Sequence, residues 1–159
     1  MCKKIAVLII SAAILFTFGC SKQPDEEILS VQKLWDELLS SAILEDEAYV
    51  SDELMNAIYK STIVKVIEVS NGSCKVKITY PDAGSALSSK ANELPHDFTQ
   101  EHVDEMYRSI IAGIEQKSLK MAEGVCTAGI MTDENSKARL SLSADIINAL
   151  TGGLPSLSQ

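Results

Sequence analysis

Both histidines of the chain fall in one short stretch, HDFTQEHVDE, where His96, Asp97, Glu101, His102 and Glu105 bring imidazole and carboxylate groups close together in sequence. Such a set could ligate a metal ion or share a proton as an acid/base pair. The spacing argues against both. His96 and His102 lie six residues apart across an expected helix start, so no helical face carries the two. His102 and Glu105 share a face at i, i+3, but two ligands leave a tetrahedral site half filled. The stretch is read as the solvated, acidic start of a helix, and no metal or cofactor is expected.

Other chemistries find less support. No Gly-x-Ser-x-Gly elbow surrounds any serine, and no phosphate loop, EF-hand loop or Cys-x-x-Cys pair occurs. A thiol hydrolase built on Cys126 would lack local context. The small-residue run Gly124 to Gly129 sits between an expected helix and a charged turn, which predicts an ordinary strand. No catalytic residue is assigned.

The cysteines are more informative, and Cys20 most of all. Lys3 and Lys4 are followed by an uncharged, largely apolar run from Ile5 to Phe18, then Gly19 and Cys20. That run is shorter than the roughly 20 residues a bilayer-spanning helix needs, but it suits the core of a secretory signal. The basic start, short apolar core and Gly-Cys junction resemble the lipobox of bacterial lipoproteins, with Thr17 and Phe18 where that family has an aliphatic and a small residue. The resemblance implies removal of residues 1–19 and lipidation of Cys20 by diacyl chains of the palmitate type. Residues 20–27 then form the lipidated cysteine and a polar tether, 28–153 an extracytoplasmic domain, and 154–159 a tail.

Cys74 and Cys126 remain for the domain. Outside the cytoplasm they could be bridged, worth on the order of 4 kcal/mol by loop entropy, or could pack as two separate thiols.

All 22 acidic residues of the chain lie beyond Gly19, with 12 of the 14 basic ones. So acidic a domain excludes a nucleic-acid partner, which would need clustered Lys and Arg. The same composition predicts no basic patch for anionic headgroups, leaving the lipid alone to hold the protein at the membrane.

The elements that must position any site follow from periodicity. Residues 25–43 read as a helix with Ile28, Val31, Trp35, Leu38, Leu39 and Ala42 on one stripe. Ser51 is the expected N-cap of a shorter helix to Tyr59, after the acidic connector Glu45-Asp46-Glu47. Asn71-Gly72 between two β-rich runs predicts a type I′ hairpin. Counting outward pairs Val69 with Cys74, Glu68 with Lys75, Ile67 with Val76 and Ile63 with Tyr80, so that Ile63, Ile67, Val69, Cys74, Val76, Ile78 and Tyr80 share a core face.

Residues 81–95 read as an irregular connection. A long helix is then expected from the N-cap Thr99, stapled by Phe98 against Val103, with Gly113 marking close approach to the sheet. Strands over 120–131 and 137–143 and a short final helix ending at Gly152-Gly153 complete the domain.

This order predicts an α+β fold, with an antiparallel sheet of two hairpins curved around a long helix as an NTF2-like or cystatin-like cone. The Gly19-Cys20 junction, the helix-first order and the closing Asn148-Ala149-Leu150-Thr151-Gly152-Gly153-Leu154 resemble small lipoproteins of Gram-positive gut bacteria with NTF2-like domains. Glu134-Asn135-Ser136-Lys137 stands where such families often carry Asp-Gly-x-Trp. A cone of this kind implies a pocket, lined here by Trp35, Tyr80, Met106 and Tyr107, although their spacing equally makes them core.

The expected function is a non-catalytic, lipid-anchored envelope protein that presents a binding module to an unknown protein or small ligand. A cone-pocket hydrolase or isomerase would need a carboxylate beside a His or Tyr inside the cone. A cystatin-like inhibitor or immunity protein would show an exposed apolar edge.

Overall fold

A computed structural model describes residues 24–43, 48–132, 134 and 137–154. The leader, Cys20, the first part of the tether, the acidic connector, most of the 133–136 turn and the tail beyond Leu154 lie outside the described residues. In chain order the elements are α1 (Pro24–Ala42), α2 (Val50–Ser61), β1 (Ile63–Ser70), β2 (Ser73–Pro81), α3 (Ala83–Ala91), α4 (Gln100–Glu115), β3 (Met121–Thr132), β4 (Ala138–Ser141) and α5 (Ala144–Leu150). The strands form one antiparallel sheet in the order β1-β2-β3-β4, so the chain has the expected α+β fold.

The first hairpin turns through Asn71 (φ 50°) and Gly72 (φ 71°), the two left-handed residues a type I′ turn requires. Val69 pairs with Cys74 and Glu68 with Lys75, as the turn predicts, but the ladder then slips. Val66 opposes Val76 and Ile63 opposes Thr79, leaving Ile67 as the extra residue of a β-bulge. The pairs expected for Ile67 and Ile63 are therefore wrong, for an identifiable reason. The strand holds two apolar frames, and only a bulge lets Val69 from one frame and Val64 and Val66 from the other face the same core. Val64 and Val66 are buried, whereas Ile63 is 64% and Ile67 45% exposed.

That bulged strand is also a sheet edge, and α1 closes it. The Gln32 side chain donates from Nε2 to the Val64 carbonyl (2.9 Å) and accepts at Oε1 from the Val66 N–H (3.0 Å). One side-chain amide thus takes the place of a neighbouring strand's peptide group at the edge.

The helix across the sheet is α1, whose Val31 and Trp35 join Val64, Val66, Cys74, Val76, Ile78 and Ala128, with Ile146, Ala149 and Leu150 of α5, in the main core. Helix α4 does not lie under the sheet. Its Ile110 and Ile114 build a second core with Leu54, Ala57 and Ile58 of α2 and Ala83 of α3. Gly113 accordingly meets Leu119 and Ser118 of its own following turn, not the sheet.

Three local expectations are corrected. Residues 83–91 form α3, capped by the Asp82 carboxylate accepting from the Ser85 N–H at 3.2 Å, where an irregular connection was predicted. The N-cap of α2 is Tyr49, not Ser51, and Phe98 is 56% exposed instead of stapled. The final glycines have a packing reason: Gly152 and Gly153 take left-handed φ values, and a Cβ on Gly84 would lie 2.1 Å from the Gly153 carbonyl oxygen. The α3 start and the end of α5 meet backbone to backbone, with Gly84 N–H donating to Gly152 O at 2.9 Å.

Candidate functional site

The histidine stretch is used structurally. His102, at the third position of α4, turns back so that Nδ1 accepts from the Thr99 N–H at 3.0 Å, filling the place that Glu or Gln holds in a capping box. His96 sits in the loop before the helix. Among the described residues no group of three His, Cys, Asp or Glu side chains converges as a metal site.

The four expected pocket residues are not brought together. Trp35 is fully buried in the main core, against which Tyr80 packs, whereas Met106 and Tyr107 pack against the second core. A single cone pocket lined by all four does not form, because α4 packs on helices and not on the sheet. The Trp35 indole N–H is buried without a hydrogen-bond partner. Tyr107 instead borders an open cavity of about 530 Å³ between the starts of α2 and α4, with Tyr49, Ser51, Gln100 and Asp104. The Asp104 carboxylate there already accepts from the Gln100 amide at 2.9 Å.

Cys74 and Cys126 are free thiols on adjacent strands, the first buried and the second half-buried. The bridge weighed from the sequence is not formed. Cys74 stands opposite Ala128 and Cys126 opposite Val76, so the two are diagonal neighbours, a relation that places Cα atoms about 7–8 Å apart. A disulfide prefers a closer approach of about 5.5–6 Å.

Two surfaces remain. The first is a groove between α1 and β4, made of adjoining hollows of about 410 and 300 Å³ that share Leu34 and Ala138. Val31, Leu34 and Leu38 of α1 face Ile130, Ala138 and Leu140 across it, with Glu37 and Arg139 among the lining residues. Leu38 and Leu140 were legible as core-facing positions in the sequence. Ala138 was legible as well, by its alternation with Lys137 and Arg139, whereas Leu34 was not, because it lies beside the apolar stripe of α1 and not on it.

The second is the outer face of the sheet, which the register defines. Lys65 opposes Lys77, Lys77 opposes Val125, Lys75 opposes Glu68 and Thr127, and Met131 opposes Arg139. Val125 is 58% and Met131 56% exposed. Lys77 Nζ lies 2.9 Å from Glu123, whose carboxyl is held below the usual range chiefly by that hydrogen bond, with help from the Lys77 charge and the Thr79 hydroxyl. Composition predicted no basic patch. The register corrects this: strand alternation gathers lysines that the overall acidity conceals.

Among solved structures the chain is similar to that of YcdA from Bacillus subtilis, described there as a candidate lipoprotein, at 14% identity and a TM-score of 0.39, covering 77% of this chain and 44% of that one. The chain thus spans less than half the length of that protein. No protein-family model matches the chain, and no curated protein is similar to it.

Proposed function

We propose that the protein is a lipid-anchored envelope protein, tethered through Cys20, whose α+β domain serves as an interaction module and not as a catalyst. The observation that carries the module reading is the α1/β4 groove, where apolar side chains of a helix and of a short strand line one open channel. Apolar exposure of this kind favours a binding surface. The anchor half rests on the Gly19-Cys20 junction after its short apolar core.

A photo-crosslinking residue at Leu34, introduced into the protein in intact cells, tests the module. A discrete adduct, missing when the same residue replaces the remote Lys90, is expected. Identical adduct patterns at both positions would contradict the reading.

The inhibitor or immunity-type alternative draws on a separate observation, the exposed Ile63, Val125 and Met131 on the sheet. Titrating the purified protein into extracellular hydrolases would support it through stoichiometric inhibition.

A further inference from the structure

We propose that the outer face of the sheet docks flat on an anionic phospholipid bilayer, so that the tethered domain lies on the membrane with its helices outward. The inference rests on the anchoring reading for its setting, but its own basis is the distribution of charge over the fold.

Of the 12 basic residues beyond Gly19, four occupy this one face: Lys65, Lys75, Lys77 and Arg139. Among the described residues, the acidic side chains that the strand register places on it are Glu68 and Glu123. Beyond Gly19 as a whole, 22 acidic residues stand against 12 basic ones. A domain that is strongly acidic overall thus carries one face of the opposite sign.

That face is also apolar where it is not basic. Ile63, Val125 and Met131 are each more than half exposed, and Met121 is 42% exposed. Lysine stems beside exposed aliphatic side chains suit an interface in which the ammonium groups meet phosphates and the methyl groups enter the headgroup boundary. Lys65 and Lys77 stand directly opposite each other, a like-charge pairing that is unfavourable in water and is relieved by an anionic neighbour. Glu123 relieves Lys77 in part, while no carboxylate stands opposite Lys65 in the ladder.

Charge also decides between occupants. A second copy would bring the same basic face against itself. An anionic bilayer attracts this face and repels the acidic helical side, which fixes one orientation. Each lysine near such a surface is worth on the order of fivefold in partition, and the attraction decays within a Debye length of about 10 Å at 0.1 M salt.

The test places tryptophan at Val125 in the full lipidated protein and reconstitutes it into vesicles with brominated acyl chains. One set contains 30% phosphatidylglycerol and the other only phosphatidylcholine. Quenching of Val125→Trp in the anionic vesicles, at least tenfold weaker in the neutral ones and reversed by 0.5 M salt, is expected. A tryptophan at Leu29 on α1 should stay unquenched, and Lys65→Glu with Lys75→Glu should abolish quenching at Val125. Equal quenching in both vesicle types, or none in either, overturns the proposal. So does an emission shift that follows protein concentration without lipid, which would mark this face as a contact between copies.

Failure of the anchoring reading gives a different signature. Protein that lacks the lipid would not float with neutral vesicles, yet would still sediment with anionic ones if the face docks.

Discussion

Gln32 holds two backbone groups of β1 with one side chain, and no pattern in the sequence marks it. Replacing it by Ala removes both hydrogen bonds to Val64 and Val66 and is expected to destabilise the domain by about 1–2 kcal/mol. Denaturant titration should show a lower midpoint at unchanged slope. Gln32→Glu keeps the acceptor but loses the donor to Val64 O, so it should recover little of that stability.

Glu123 gives the residue-scale pH dependence. Because the folded state lowers its pKa, its stabilising contribution is complete above the ordinary value of 4.5 and is lost as pH falls through the lowered one. Glu123→Gln should flatten that acid limb in urea midpoints measured between pH 6 and 3. Trp35, by contrast, was legible from the helical stripe. What the stripe cannot reveal is that its indole N–H is left without a partner.

At the level of elements, the sequence shows most clearly where one period dominates. The Asn71-Gly72 turn and the stripe of α1 each rest on a single unambiguous pattern, and both are present in the structure. Strand β1 contains two competing apolar frames, so counting outward from the turn holds for two pairs and fails at Ile67. Deleting Ile67 would restore a regular ladder in which Val66 still opposes Val76 and Val64 still opposes Ile78, so both valines keep their places in the core. Little loss of stability is expected, since each buried valine retains its contribution of about 1.5–3 kcal/mol; thermal unfolding checks this.

Helix α3 was hidden by its Ser and Gly content, although Asp82 three residues before Ser85 was a usable cap signal. Its glycine is required by the crossing with Gly153. Gly84→Ala should therefore destabilise the protein despite alanine's better helix propensity, with a fall in melting temperature as the readout. Ser88→Ala, further along α3, has no backbone crossing to disturb and serves as the control.

On the scale of the whole molecule, the α+β class follows from element order, but the partition into two cores does not. Helix α4 carries an amphipathic face that would suit a sheet as well as it suits α2, and only long-range packing decides between them. That choice dissolves the cone pocket expected around Trp35, Tyr80, Met106 and Tyr107. It leaves an edge groove and an open sheet face as the surfaces available for recognition.

The charge asymmetry has the same origin. Lys65, Lys75 and Lys77 are scattered in a net-acidic sequence and become a patch only once the register is known. On the proposed lipid anchoring, Cys20→Ser should leave membrane retention to the sheet face alone, so that 0.5 M salt moves the variant, but not the lipidated protein, from the membrane fraction into the soluble fraction.

Intact-mass analysis of the protein extracted from membranes tests the central claim most directly. The expected product is a chain that begins at Cys20 and carries a diacylglyceryl group on its sulfur. A chain that still begins at Met1, or one whose Cys20 is unmodified, would contradict it.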